Sequence, residues 1–291
     1  MSQNQIPARR RPAQTEDLRN LVVSFLKVWD VTVPHDLSVD PAFREACRMD
    51  AARRGIDSKL YAVEFDIGVS FADTAYRHLK DESTRIFIAV WTTLILRIDD
   101  HYEDYADGLS EFSYRLSRNE PQRYTLLDEL AVMTQGFHQH WGPIASGFMV
   151  SGELDFFTSM AVEKCMEDME IQVSSAPAIT FPKFVRSMTG ISRAYACMIF
   201  PADLDIRDWL QAVPDCMDLL DYINDVLSSF KEEVANDTAN FVTANAKATG
   251  TNNLDVVQTL SKLSSEAYAR QCELLKSRPE VLDAFKAWLI L

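Results

Sequence analysis

Apolar residues recur along this chain with a helical period, and strand-like alternation is weak throughout. Over Thr15–Asp30, Leu18, Leu21, Val22, Phe25, Leu26 and Trp29 fall on one stripe of a 3.6-residue helix. The same pattern predicts helices over about 40–54, 58–80, 82–105, 123–141, 150–172, 181–199, 214–234, 254–276 and 279–291. Pro182, Pro214 and Pro279 fit the first turn of a helix, where a missing N–H costs nothing, while Pro121 and Pro143 fall in connections. The run Ile86–Ile98 is rich in β-branched residues, but its thirteen positions exceed a typical strand and read as a buried helix. Phe87, Trp91, Ile95 and Asp99 are spaced by four and share one face of that helix. No internal repeat or low-complexity linker divides the chain. The expectation is one all-α domain over 16–291, after a polar tail over 1–15 that carries Arg9, Arg10 and Arg11.

Composition agrees with long helices around a large core. The 291 residues are 47% hydrophobic and include only 9 Gly and 11 Pro to interrupt them. The net charge of −14 argues against nucleic acid or an anionic membrane surface as a partner. No apolar run reaches the ~18–20 residues that span a bilayer, so no integral membrane contact is expected. The five cysteines (Cys47, Cys165, Cys197, Cys216 and Cys272) are scattered and form no Cys-x-x-Cys pair. An odd count without a signal peptide reads as reduced thiols in a cytoplasmic protein.

The candidate chemistry lies in two segments. Residues 224–232 read Asn-Asp-Val-Leu-Ser-Ser-Phe-Lys-Glu, so Asn224, Ser228 and Glu232 stand at i, i+4 and i+8 on one helix face, beside Lys231. Amide, hydroxyl and carboxylate oxygens suit a hard cation such as Mg²⁺, which takes its remaining ligands from water and phosphate. More than a hundred residues upstream, the apolar run ends in Asp99-Asp100-His101-Tyr102-Glu103-Asp104. Two oxygen-rich clusters on separate helices point to a polynuclear metal site for a diphosphate. Metal ions would place positive charge between the acidic helices and an anionic substrate.

Residues 224–232 resemble the Asn-Asp-x-x-Ser-x-x-Lys-Glu signature of class I terpene cyclases, and Asp99–Glu103 is similar to their aspartate-rich motif, with Glu103 in place of its last Asp. Within that superfamily the chain looks most like the fungal trichodiene-synthase-like sesquiterpene cyclases, over roughly residues 20–291. The resemblance implies a single-domain class I terpenoid synthase bundle of about ten to twelve helices around a central apolar cavity. It implies a lyase that ionises and cyclises a linear prenyl diphosphate, farnesyl diphosphate first, to a sesquiterpene hydrocarbon or alcohol with release of diphosphate. Asp99, Asn224, Ser228 and Glu232 would be ligands of a Mg²⁺ cluster of about three ions, with Asp100 and Glu103 as acidic residues behind them. Arg186-Ser187-Met188-Thr189-Gly190 is similar to a diphosphate-sensing segment: Arg186 and Lys231 would bind the diphosphate, and Thr189 and Gly190 would sit at a helix break. Phe87, Trp91 and Ile95 would line the cavity, where an aromatic face stabilises a cation by ~0.5–2 kcal/mol. The family pattern also includes a C-terminal Arg-Tyr pair. Here the sequence ends Ala287-Trp288-Leu289-Ile290-Leu291, so either it is truncated or diphosphate binding is weaker than in relatives, and Arg123-Tyr124 lies too far upstream to serve.

Other readings carry less. A chain-elongating prenyltransferase would have a second Asp-rich motif where this chain has the Asn/Ser/Glu form. A helical scaffold would have no use for oxygen donors at 224, 228 and 232. His138 and His140 are two apart, wrong for a helical zinc pair, and no Gly-rich phosphate loop or Gly-x-Ser-x-Gly elbow is present. A homodimer is compatible with all of these features.

Overall fold

Helix is the only regular structure among the described residues of the computed structural model, which cover 12–28, 38–168 and 178–289. The first half of the chain forms α1 (Pro12–Val28), α2 (Pro41–Arg53), α3 (Ala62–Thr74), α4 (Glu82–Asp100), α5 (Tyr102–Ser117), α6 (Thr125–His140) and α7 (Pro143–Asp168). The second half forms α8 (Phe181–Thr189), α9 (Ser192–Met198), α10 (Ile206–Trp209), α11 (Val213–Ala235), α12 (Phe241–Thr249), α13 (Asn253–Leu275) and α14 (Pro279–Trp288).

The centre of the bundle is α4. Asp81 caps it, its carboxylate accepting from the Ser83 amide at 3.0 Å and from the Thr84 hydroxyl at 2.8 Å. The apolar run then buries Phe87 through Ile95, and Ile98, on every face. Threonine is tolerated there because Thr93 donates to the Ala89 carbonyl at 2.8 Å, so no hydroxyl is left unbonded. Helix α3 crosses α4 at Gly68, where a Cβ would lie 2.5 Å from the Ala89 carbonyl oxygen. A second, smaller core joins Leu18 and Phe25 of α1 to Tyr222 and Val226 of α11 and to Val256, Val257 and Leu260 of α13. That core braces the outer side of the helix carrying residues 224–232.

The periodic pattern found most of these elements and departs from the structure at several points. The expected helix 58–80 is shorter, because only Ala62–Thr74 is α-helical. The expected helix 82–105 divides at His101, whose φ of −131° and ψ of 36° end α4 and begin α5, a helix that the pattern did not extend to Ser117. Helix 181–199 is broken between Thr189 and Ser192, where the sequence analysis placed a break at Thr189 and Gly190. Pro143 is not in a connection: it opens α7, which starts seven residues before the expected position 150. The short helices α10 and α12 were not anticipated. At the N-terminus α1 begins at Pro12, inside the stretch expected to be a tail, and Leu26 is 44% exposed although it belongs to the apolar stripe. Trp29, Arg9, Arg10 and Arg11 lie outside the described residues, as do 169–172 and the final two positions. Arg123 and Tyr124 have a local use, both binding Asp107 of α5 at the entry to α6.

Candidate active site

The acidic segment sits at a corner. Asp99 and Asp100 are the last residues of α4, where the aligned peptide dipoles already present partial negative charge, so two carboxylates there cost stability. A cation would relieve that cost. Glu103 and Asp104 occupy the first turn of α5, where the dipole favours them. Asp99, Asp100 and Glu103 border an open cleft of about 400 Å³ closed on the far side by Met160, Glu163 and Lys164 of α7. Glu103 is paired with Lys164 at 2.8 Å. Asp99 is reachable by solvent at the mouth yet enclosed by protein on most sides. Burial, then the charge of Asp100, pushes its carboxyl up, and Arg186 draws it back down.

The 224–232 segment lies on α11, where Glu232 borders a separate small pocket with Ser229, Glu233, Asp237 and Asn240. Pro214 opens this helix and Asn236, in the left-handed region at φ 55°, closes it. Asn224, Ser228 and Glu232 lie on its solvent-accessible side, whereas Asp221, Asp225, Val226 and Ser229 are buried. The buried Ser228 Oγ has no hydrogen-bond partner. An unbonded hydroxyl between an amide and a carboxylate on one helix face is an unmet demand, and the donor set is the one that suits a hard cation. Among the described residues no group of three or more His, Cys, Asp or Glu side chains could hold a metal, so any cation here would depend on the Asn224 and Ser228 oxygens as well as on carboxylates. Lys231 is exposed and forms no ion pair among the described residues, so it is not tied up by Glu232 or Glu233.

Arg186 joins the two clusters. From the last turn of α8 its Nε donates to Asp225 at 2.9 and 3.2 Å, and its Nη2 donates to the Asp221 carbonyl at 3.2 Å and to Asn224 Oδ1 at 3.3 Å. Its Nη1 stands 3.4 Å from Asp221 Oδ1. Burial opposes its charge, but Asp221 and Asp225, and more distantly Glu232, raise its pKa above the ordinary arginine value. The buried carboxyls of Asp221 and Asp225 are both pushed up, by burial first, and Arg186 pulls both down. One guanidinium thus serves two buried acids and still reaches the amide of Asn224.

The α8–α9 break explains how this fits. Gly190 has an ordinary φ of −74°, so backbone freedom is not its purpose. Space is: a Cβ there would lie 2.2 Å from Asp221 Oδ1 and 2.6 Å from Arg186 Nη1. The residue in the left-handed region is Ile191, at φ 45° and buried in the core. A β-branched residue there is a genuine outlier, costing on the order of 1–3 kcal/mol. At this break Gly190 supplies room and Ile191 supplies the turn. Thr189 ends α8, with its hydroxyl 3.4 Å from the Arg186 carbonyl.

Below Asp99, Trp91 is fully buried. Its ring meets Phe137 and Tyr195 edge-on at 5.6 and 5.2 Å, and its indole N–H donates to Glu153 Oε1 at 2.7 Å. Phe87 lies a turn deeper, against Phe137, His140 and Trp141. Ile95 is 3% exposed. Tyr195 of α9 donates to Thr92 at 3.1 Å, and its hydroxyl feels the charge of Asp99, which links the aromatic layer to the acidic corner.

Asp221, Asp225, Ile191, Tyr195 and Glu153 were missed by sequence reasoning. Asp225 stood inside the quoted segment, and its position one residue after Asn224 already turned it about 100° around the helix, toward the core. Asp221, four residues earlier, shares that face.

The sequence model of the trichodiene synthase family matches residues 60–290. The chain belongs to this family. It is 28% identical over 280 residues to alpha-cuprenene synthase COP6 of Coprinopsis cinerea, covering 94% of this chain and 84% of that protein. It is 28% identical over 273 residues to terpene synthase BipA of Cochliobolus sativus, covering 92% and 83%. Among solved structures, linalool/nerolidol synthase from Streptomyces clavuligerus superposes with a TM-score of 0.65 at 13% identity, covering 90% of this chain and 97% of that one. A cucumene synthase variant gives a TM-score of 0.58 at 14% identity, covering 87% and 89%. The fold is that of the all-α terpene cyclases, and the family member described here is a terpene synthase.

Proposed function

We propose that this family member is a Mg²⁺-dependent sesquiterpene cyclase, ionising farnesyl diphosphate and closing the resulting allylic cation to a hydrocarbon or alcohol. The observation that carries the reading is the convergence on Arg186, which bonds Asn224 and Asp225 on one side and acts on the charge of Asp99 on the other. In this reading Asp99, Asn224, Ser228 and Glu232 hold the metal, and Asp100 and Glu103 hold its shell of water. The unbonded Ser228 hydroxyl and the acids at the electronegative end of α4 support that assignment. When bound, Mg²⁺ supplies Lewis-acid stabilisation of the departing diphosphate.

The chain's own residues do the rest. Arg186 offers a planar fork of donors to phosphate oxygens, for which it must exchange part of its hold on Asp221 and Asp225. Lys231, exposed next to Glu232, adds a second cation. Gly190 keeps the space that lets Arg186 lie against Asp221. Trp91, with Phe87 and Ile95 on the same face of α4, walls the apolar interior, where exclusion of water protects a carbocation and the indole face attracts it.

Incubation of the purified protein with C10, C15 and C20 prenyl diphosphates, with and without Mg²⁺, followed by volatile analysis, tests this reading. A cyclic C15 product that requires Mg²⁺ supports it. Product from the C10 or C20 substrate alone overturns the farnesyl assignment, and longer prenyl diphosphates would identify a chain-elongating enzyme.

A further inference from the structure

We propose that Glu153 is a positioning residue that sets the ratio of products by holding the indole ring of Trp91. This rests on the reading of Trp91 as a wall of the reaction chamber.

Glu153 is completely buried in α7, an unusual place for an acid. Its two oxygens are divided between two donors: Oε1 accepts from the Trp91 indole N–H at 2.7 Å and Oε2 from the Thr134 hydroxyl at 2.6 Å. No cation pairs with it among the described residues. Burying a carboxyl without a counter-charge is costly, and it makes no ion pair that would justify it. What it achieves is geometric. Three helices are joined by one side chain: α4 through Trp91, α6 through Thr134, and α7 itself.

An indole ring has a single N–H donor, so this bond fixes its plane in a way that apolar packing does not. Edge contacts with Phe137 and Tyr195 hold the ring by apolar packing, and the bond to Glu153 adds a directional constraint at its N–H. A cation over a ring face is stabilised in proportion to how closely it sits above the centroid, so a shift of the ring changes which cation along a cascade is favoured. Either protonation state of Glu153 can serve, because a neutral carboxyl still offers its carbonyl oxygen to the indole. Glutamine offers the same oxygen, whereas methionine, similar in length, offers none.

The test compares Glu153→Met and Glu153→Gln with the unsubstituted enzyme, reading product ratio, kcat and KM, and the near-ultraviolet circular dichroism band that disappears in Trp91→Phe. In Glu153→Met the share of acyclic and monocyclic products should rise at least about threefold, with KM little changed and the Trp91 band collapsed. Glu153→Gln should restore both the ratio and the band. An unaltered product ratio in Glu153→Met overturns the proposal, as does an equal shift in both variants. If Glu153→Met does not fold, a changed ratio in Glu153→Gln still overturns it. Should the unsubstituted enzyme yield no terpene from any of the three substrates, the reading of function falls, and the dichroism band alone decides whether Glu153 holds the ring.

Discussion

Gly190 and Asp221 approach so closely that a methyl carbon on the glycine would stand 2.2 Å from the aspartate oxygen. Neither residue is a proposed metal ligand, yet the contact decides where Arg186 can lie. A helix that stops at Thr189, a glycine that gives way and a strained Ile191 together deliver one guanidinium to the face of α11.

Gly190→Ala should therefore be more damaging than a usual glycine-to-alanine change. The added carbon must displace the Asp221 carboxylate or the Arg186 guanidinium, an overpacking cost of about 1–3 kcal/mol. Turnover should fall steeply along with the melting temperature, whereas alanine at exposed Gly147, with nothing within 4 Å of its Cβ, should leave both near the wild-type values.

Asn224→Ala or Glu232→Ala should abolish turnover and leave the fold intact. Each removes an oxygen donor from the accessible side of α11 and opens no core cavity, so the loss of stability should stay within about 1 kcal/mol. Product assays at saturating Mg²⁺, set beside thermal melts, check this; wild-type yield from either variant would remove the metal assignment.

Arg186→Lys should be nearly as inactive as Arg186→Ala. A lysine ammonium cannot reach Asp225, the Asp221 carbonyl and Asn224 from one position, nor grip a phosphate with two parallel donors. Both variants also leave two buried acids without their partner, so unlike the α11 variants they should lower the melting temperature. Titration with inorganic diphosphate and Mg²⁺ would show unchanged affinity if Arg186 has no part in binding.

Trp91→Ala should alter the product mixture as well as the stability. A large-to-small change at this fully buried ring costs about 3–5 kcal/mol, and it also leaves Glu153 without its indole donor. If Trp91 were packing alone, the surviving folded enzyme would make the original product ratio in lower yield.

Glu153 predicts a pH dependence of stability. Burial raises its carboxyl from 4.5 to about 7, with the Thr134 and Trp91 hydrogen bonds pulling the other way. Between those values the folded chain holds a proton that the unfolded chain has lost. Stability from this group is therefore complete below pH 4.5 and declines as the pH rises toward 7, by at most about 3 kcal/mol. Glu153→Gln, which cannot ionise, should flatten that part of the stability profile in denaturant melts at successive pH values.

Local pattern was enough to read the helices and the residues of one helix face. A period of 3.6 tied Leu18 to Phe25 and Phe87 to Asp99, and the spacing by four at Asn224, Ser228 and Glu232 held because α11 runs unbroken from Val213 to Ala235. Those relationships depend only on helix geometry, which is the same wherever a helix lies. The breaks were less legible. His101 has no glycine or proline beside it, and at the second break Gly190 marks the place but not the residue, Ile191, that turns. What tertiary structure alone decided is the convergence: that Arg186 meets Asp221 and Asp225 from 39 residues away or less, and that Glu153 receives the indole of Trp91 across 62 residues. Contacts between helices depend on how their faces cross, and no periodicity within one helix encodes the angle at which it meets another.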